Sequence, residues 1–251
     1  LVATTHTFDV LIGSTPLWFG GEFLKNFTTV LTQGLKAAGG IPVWVMMANS
    51  LVMALGIAIG KIAISITAAY AIVYFRFPGR ELCFVLIFIT LMMPVEVRIV
   101  PTFQVAANLN FIDSYLGLVL PLIASATATF LYRQMFMTIP AELLEAARID
   151  GAGPWRFFVD VVLPLSRTNT AALFVVLFIY GWNQYLWPLL VTNQESMYTI
   201  VMGIQRMVNI PDAVPEWNLI MAVALLGMLP PLLVVLGMQK LFVRGLVETE
   251  K

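Results

Sequence analysis

Five long apolar stretches constrain the fold of this chain more than any other feature of its sequence. They cover roughly residues 46–74, 82–99, 115–137, 171–191 and 219–243. A helix needs about 20 apolar residues to cross a bilayer core, and each stretch comes close to that length or exceeds it. Hydrophobic residues make up 60% of the 251 positions, which agrees with this assignment. The sequence therefore predicts an all-α fold, a polytopic membrane helix bundle with five spans.

Basic residues are spread unevenly over the segments that connect the stretches. Arg76 and Arg80 follow the first stretch, residues 101–114 contain no Lys or Arg, and residues 138–168 contain Arg148, Arg156 and Arg167. Lys and Arg accumulate in the cytoplasmic loops of membrane proteins. We therefore expect the first and third connections and the C-terminus to face the cytoplasm.

This orientation divides the chain into two parts. Residues 1–43 carry Gly and Pro turn signals, and we expect them to form an extracytoplasmic N-terminal segment with short helices. Residues 44–251 are expected to form the transmembrane domain, with a cytoplasmic loop at 138–168. This orientation gives an odd number of spans and a start outside the cell. We therefore also expect a sixth transmembrane helix before Leu1.

The sequence offers few groups for catalysis or metal binding. Fourteen basic residues balance fourteen acidic ones, so no overall field favours nucleic acid. His6 and Cys83 are the only residues of their types and lie far apart, which argues against a metal site or a nucleophile with its base, as a membrane hydrolase would need.

Gly60-Lys61 has a superficial likeness to a phosphate-binding loop. The Walker pattern requires four residues between its glycines and Ser or Thr after the Lys. Here three residues separate Gly56 from Gly60, and Ile62 follows the lysine. We therefore expect no ATP hydrolysis by this chain and no cofactor in it.

The charged connection at 138–168 is predicted to contain two short helices. Pro140 suits a helix start and Gly151 a helix end, and Gly153-Pro154 restarts the chain. On the first helix, three-and-four spacing places a low, smooth surface on one side, formed by Leu143, Ala146, Ala147 and Asp150. The residues alone leave open whether this surface docks another protein or lies solvated on lipid headgroups.

The same connection resembles the EAA loop of permease subunits of binding-protein-dependent ABC importers. The pattern runs from Glu145-Ala146-Ala147 through Gly151 and Val161 to Leu163-Pro164, and its only departure is Val161, where the family usually has Ile. In that family the loop is a coupling helix that sits in a cleft of a cytoplasmic ATPase. The resemblance implies that coupling involves Glu145, Ala146, Ala147, Asp150, Gly151, Leu163 and Pro164.

The resemblance covers about residues 48–251. Four strings are similar to carbohydrate-type permeases, and most of all to the sn-glycerol-3-phosphate branch: LMMPVEVR (91–98), SATATFLYRQ (125–134), FIYGWNQYLWP (178–188) and FVRGLV (242–247). The resemblance implies a bacterial inner-membrane subunit that works with a second, different permease subunit, a homodimeric ATPase that binds ATP and Mg, and a periplasmic substrate-binding protein. Uptake of a sugar or a glycerophosphodiester, or a passive channel, remains open.

Arg98 is a candidate phosphate ligand. Charged residues inside a membrane are costly and usually functional, and a guanidinium matches phosphate geometry in a bidentate manner. Arg98 lies near the outer end of its stretch, between Pro94 and Pro101. Snorkelling to the outer headgroups, or pairing with Glu96, is the structural alternative.

Trp182, Asn183, Gln184 and Tyr185 form a second candidate site. Asn183 lies about 12 residues from the inner end of its predicted helix, roughly 18 Å up at 1.5 Å per residue, just beyond the bilayer midplane. Aromatic faces beside amides suit a small polyol. The resemblance implies that this part of the helix faces the translocation path, and the alternative is hydrogen bonding between helices that gates the pore.

Overall fold

The computed structural model describes residues 1–13, 16–34, 39–90, 93–209 and 214–248, without the side chains of residues 95, 96 and 240–248. Every regular element in these residues is helical, which confirms the predicted all-α class. The α-helices are α1 (Phe8–Gly13), α2 (Phe23–Thr32), α3 (Val43–Tyr74), α4 (Arg80–Ile89), α5 (Val95–Asn108), α6 (Tyr115–Val119), α7 (Ala126–Met137), α8 (Ala141–Ile149), α9 (Pro154–Phe157), α10 (Leu163–Leu165), α11 (Arg167–Trp182), α12 (Leu186–Val191), α13 (Ile200–Val208) and α14 (Trp217–Glu248).

Two helices are long and apolar enough to cross a membrane, namely α3 and the Trp217–Gln239 part of α14. The count rises to four if each of two bent pairs is one span: Tyr115–Leu122 with Ala126–Met137, and Pro154–Leu165 with Arg167–Trp182. The predicted count of five spans is therefore not confirmed within the described residues. The helices in the other apolar stretches are shorter than the stretches themselves.

Prolines account for several of these interruptions. A proline has no N–H and clashes with the carbonyl four residues before it, so it bends or ends a helix. Pro188 follows the gap at 183–185 that interrupts the predicted stretch 171–191, and Pro121 follows the end of α6. Hydropathy detects none of these breaks because proline and its neighbours leave the apolar average high.

The described chain divides into two compact units. Unit 1 comprises Leu1–Leu55, Phe103–Val119 and Ile179–Val234. A buried polar network fixes its N-terminal segment: the Asn26 amide donates to the carbonyls of Thr4 and His6 at 2.9 Å, and the Asn218 amide donates to Asn26 Oδ1 at 3.1 Å. The short helices expected in this segment are therefore present and packed.

Within unit 1, hydrogen bonds of Asn49 connect α3 to the segment that precedes α13. The Asn49 amide donates to the carbonyls of Ser196 and Tyr198 at 2.7 and 3.0 Å, and Asn49 Oδ1 accepts from the Tyr115 hydroxyl at 2.8 Å. Asn49 is buried, and a buried amide is stable only when its polar atoms have partners.

Unit 2 comprises the rest of the described chain, including most of α3, α7 and the 138–168 connection. A Cβ at Gly60 would lie 2.6 Å from Ile123 Cγ2, so the glycine permits α3 to approach the segment before α7 closely. The Ser65 hydroxyl donates to the Ser125 carbonyl at 3.2 Å. Small residues thus permit tight packing on this side of α3.

Candidate functional site

The first helix of the charged connection is α8, and its termini follow from local sequence. Pro140 lies just before its first residue, and Glu142 adds an acidic charge to the first turn, where the helix dipole favours it. Gly151 adopts a φ of 75°, a conformation that glycine reaches without strain. The Ala152 N–H donates to the Ala147 carbonyl and the Gly151 N–H to the Arg148 carbonyl, which is a Schellman motif.

The surface predicted for α8 is divided in the structure. Glu145, Ala146 and Asp150 are exposed, and Leu143 is 40% exposed. Ala147 is half-buried and faces a cavity within unit 2. The exposed side of α8 therefore carries the charged and small residues, whereas Ala147 contributes to the opposite side.

Two large apolar side chains extend this exposed surface. Ile149 is 86% exposed at the end of α8, and Trp155 is 72% exposed in α9. Exposed apolar residues in a group mark interaction surfaces more often than isolated ones do. Sequence reasoning missed both residues, although Ile149 lies three positions after Ala146 and therefore on the same helix face.

The second part of the connection is anchored in the core of unit 2. Phe157 and Phe158 are buried, at 2% and 4% exposure. The Phe158 ring lies 4.8 Å from the ring of Tyr70, and the Tyr70 hydroxyl donates to the Pro154 carbonyl at 2.6 Å. The connection is thus fixed to the last turns of α3 on one side while α8 stays exposed.

Leu163-Pro164 lies where the connection passes into α11. A single turn of π-helix, Phe158–Val162, precedes it, and the Pro154–Leu165 helix meets α11 at an angle of 71°. π-turns and prolines are the usual causes of such bends. This pair of residues therefore marks the change of direction at the end of the loop.

The two tryptophans of the WNQYLW string are buried in unit 1 and bonded to backbone. The Trp182 indole N–H donates to the Gly227 carbonyl and the Trp187 indole N–H to the Gly117 carbonyl, each at 3.0 Å. Trp182 is only 2% exposed. Trp182 therefore bonds α11 to α14, which fits the alternative role of this segment in hydrogen bonding between helices.

The residues between these tryptophans leave the helix. Asn183 is a turn residue, Gln184 and Tyr185 are not helical, and α12 begins at Leu186. The Asn183 side chain is exposed and Tyr185 is 36% exposed, while the Gln184 amide donates to the Tyr180 carbonyl at 3.1 Å. Non-helical backbone at membrane depth is tolerated where it is buried in protein or lines a water-filled cavity.

Arg98 lies on α5 in unit 2 with an exposed side chain. Its charge is close enough to that of Lys61 for the two to repel. Lys61 is buried, with 7% exposure, and sequence reasoning assigned it no role. Glu96, the partner of Arg98 in the alternative interpretation, lies outside the described side chains.

Comparisons with known proteins identify the family of this chain. The family described as "Binding-protein-dependent transport system inner membrane component" matches residues 61–248. A protein of Yersinia pestis bv. Antiqua named "sn-glycerol-3-phosphate transport system permease protein UgpE" is 65% identical over 232 residues, which are 92% of this chain and 82% of that protein. A protein of Agrobacterium fabrum with the same name is 57% identical over 243 residues, 97% of this chain and 86% of that protein.

The fold also matches a solved structure. The crystal structure of a bacterial ABC transporter involved in the import of the acidic polysaccharide alginate contains a chain that aligns with a TM-score of 0.81 and 19% identity. The alignment covers 95% of this chain and 87% of that one. The chain therefore belongs to the family of inner membrane components of binding-protein-dependent transport systems.

Proposed function

We propose that this chain is a permease subunit of an ATP-driven importer that takes up sn-glycerol-3-phosphate by alternating access. The relatives with 57% and 65% identity carry that substrate in their names. The proposed complex contains a second, different permease subunit, a homodimeric ATPase and a periplasmic binding protein. The chain itself is a non-catalytic transport subunit of the inner membrane, with its C-terminus in the cytoplasm.

The observation that carries the coupling proposal is the two-sided environment of the 138–168 connection. On one side Tyr70 and the buried ring of Phe158 fix it to α3. On the other side α8 presents Glu145 and the 86% exposed Ile149. A rigid connector with a free face transmits motion from an attached protein to the helices behind it. We assign that face to the ATPase.

Gly151, Leu163 and Pro164 have a mechanical role in this proposal. Gly151 ends α8 with a φ of 75° and so sets the angle at which the chain leaves the docking helix. Leu163-Pro164 precedes the 71° change of direction into α11. Displacement of α8 by the ATPase would then reach α11 through a short, packed path.

Two further features support a phosphorylated polyol as cargo. Arg98 places an exposed cation in unit 2, and a phosphate accepts charge-assisted hydrogen bonds from a guanidinium. In unit 1, the exposed Asn183 offers an amide that donates to and accepts from hydroxyl groups. We propose that Arg98 and residues 183–185 belong to the substrate path, with Asn183 as the contact residue, and that the interhelical bond of Trp182 holds this segment in place.

Uptake by the reconstituted complex tests this function. Labelled sn-glycerol-3-phosphate is supplied with the binding protein outside proteoliposomes and ATP inside, and a sugar and glycerophosphocholine are added as competitors. We expect ATP-dependent uptake that unlabelled sn-glycerol-3-phosphate suppresses. Suppression by the sugar alone would assign the complex to sugar import, and uptake without ATP would indicate a passive channel.

A further inference from the structure

A cavity of about 360 Å³ lies within unit 2, between the end of α3 and the 138–168 connection. Its lining includes the aromatic residues Tyr70, Tyr74, Phe75 and Phe157 and two cations, Arg76 and Arg148. Its volume falls in the range of roughly 300–1,000 Å³ that is typical of small-ligand sites. The cavity is therefore large enough for a headgroup-sized ligand.

The two arginines of this cavity are available to a ligand. Both side chains are exposed, so the cavity is reached from the surface. Among the described side chains, carboxylates within 4.0 Å are found for Arg80, Arg133 and Arg156, but none for Arg76 or Arg148. Two guanidinium groups without a carboxylate at one apolar cavity select an anion, and the planar fork of Arg suits phosphate.

The position of the cavity indicates the source of that phosphate. Arg76 and Arg148 belong to the connections that the distribution of basic residues places on the cytoplasmic side. Aromatic rings collect at the headgroup level of a membrane, and basic pockets beside transmembrane helices on the cytoplasmic face bind anionic lipid headgroups. We propose that the cavity binds the phosphate headgroup of an anionic glycerophospholipid from the cytoplasmic leaflet.

Such a lipid would connect the 138–168 connection to α3. Arg148 and Ala147 belong to α8, whereas Tyr74 and Arg76 lie at the end of α3, and all four line the cavity. A ligand that contacts both elements stabilises the arrangement in which they are adjacent. The inference rests on the proposed function, because that proposal places the loop at the cytoplasmic surface.

The test uses the assembled complex of both permease subunits with the ATPase. The complex is reconstituted in phosphatidylcholine vesicles that contain a photoreactive phosphatidylglycerol, and labelling of the peptides that line the cavity is measured by mass spectrometry. The double variant Arg76→Gln/Arg148→Gln is expected to lose labelling by about tenfold or more, since each charge-assisted hydrogen bond contributes a large factor. The matched control is Arg167→Gln, which removes an exposed arginine of the same connection outside the cavity and should leave labelling unchanged.

A second variant separates charge from shape. Ala152→Leu leaves both arginines in place but fills part of the cavity, because Ala152 belongs to its lining. Loss of labelling in this variant supports a bound headgroup. Equal labelling in wild type, the double variant and Ala152→Leu overturns the proposal.

Two controls identify other occupants. Competition by inorganic phosphate or soluble glycerol phosphate, without dependence on vesicle composition, would assign the cavity to a free phosphate and overturn the lipid. Labelling that appears only when the ATPase is omitted would show that the ATPase fills the cavity, and would likewise overturn it. ATP-driven uptake is measured on the same vesicles, so that a failure of transport with normal labelling is distinguished from a failure of lipid binding.

Discussion

The Trp182 indole N–H donates to a carbonyl of α14 that a proline leaves without a helical donor. Within α14, the Gly227 carbonyl would accept from the residue at 231, but Pro231 has no N–H. Trp182 supplies the missing donor at 3.0 Å. Trp187 repeats the arrangement, because it bonds at 3.0 Å to Gly117, four residues before Pro121.

Trp182→Phe is expected to destabilise unit 1 by about 1–2 kcal/mol. The Gly227 carbonyl would be left buried without a donor, which costs about 1–3 kcal/mol, although hydrogen bonds between membrane helices average about 0.6 kcal/mol. Thermal unfolding of the purified complex measures the loss. Trp217→Phe is the matched control, because Trp217 is 40% exposed. Equal Tm values for the Trp182 variant and wild type would contradict the assigned role.

Asn183→Ala is expected to change transport without changing assembly. The Asn183 side chain is exposed and its backbone N–H bonds to the Ile179 carbonyl, so the variant keeps the helix end. Loss of one hydrogen bond to substrate would raise the KM for uptake by roughly tenfold. Asn193→Ala, at another exposed position of unit 1, should behave like wild type. Normal uptake kinetics in Asn183→Ala would remove Asn183 from the substrate path.

Arg98→Gln is expected to reduce uptake most at low substrate concentration. The Arg98 side chain is exposed, and its removal deletes the cation that we assign to the phosphate of the substrate. Arg98→Lys should retain part of the activity because it keeps the charge but not the bidentate geometry. Initial uptake rates over a range of sn-glycerol-3-phosphate concentrations measure the effect. Full uptake by Arg98→Gln at low substrate concentration would contradict a role in phosphate binding and favour snorkelling of Arg98 to the headgroups.

Gly151→Asp is expected to uncouple ATP hydrolysis from transport. The φ of 75° at Gly151 becomes strained with any side chain, at a cost of order 1–3 kcal/mol, and α8 would leave the connection at a different angle. The ratio of substrate transported to ATP hydrolysed measures coupling, and membrane insertion should be normal.

The neighbouring glycine supplies the control for this substitution. Gly153 has a φ of −71°, and a Cβ there would meet no atom within 4 Å, so Gly153→Asp should be well tolerated. Glu145→Lys reverses an exposed charge on α8 without altering its backbone and should weaken association with the ATPase. Wild-type coupling in both Gly151→Asp and Glu145→Lys would contradict the docking assignment.

Tyr70→Phe is expected to loosen the connection from α3. It deletes the 2.6 Å hydrogen bond to the Pro154 carbonyl while keeping the ring, at a cost of about 1 kcal/mol. Transport per ATP should fall, because displacement of the loop would reach α3 less completely. Tyr74→Phe loses only a 3.4 Å contact with the Phe136 carbonyl and should have a smaller effect. A larger loss of transport per ATP in Tyr74→Phe than in Tyr70→Phe would contradict the role of the Tyr70 hydrogen bond.

Local sequence determined much of the 138–168 connection. Pro140, Gly151 and Pro154 define the ends of α8 and the start of α9, and the structure places the helix termini at these residues. Their effects act over a few residues through φ, missing N–H groups and carbonyl capping, so no tertiary information is needed. The division of the α8 surface was not predictable, because it depends on where α3 packs behind Ala147.

In the long helices, by contrast, much of the detail could not be predicted from local sequence. Hydropathy located the apolar stretches, but it did not predict the gap at 183–185 or the exposure of Ile149. It also left Lys61 without a role, since only folding brings this residue near Arg98.

The sequence by itself determined that the chain is an all-α membrane protein and where α8 begins and ends, because apolar length and local capping are properties of consecutive residues. Only the tertiary structure decided which indoles replace the donors missing at Pro121 and Pro231, which face of α8 is free and which cations are neighbours. These relationships join residues far apart in the chain, and the donor that a buried carbonyl finds depends on how the helices pack.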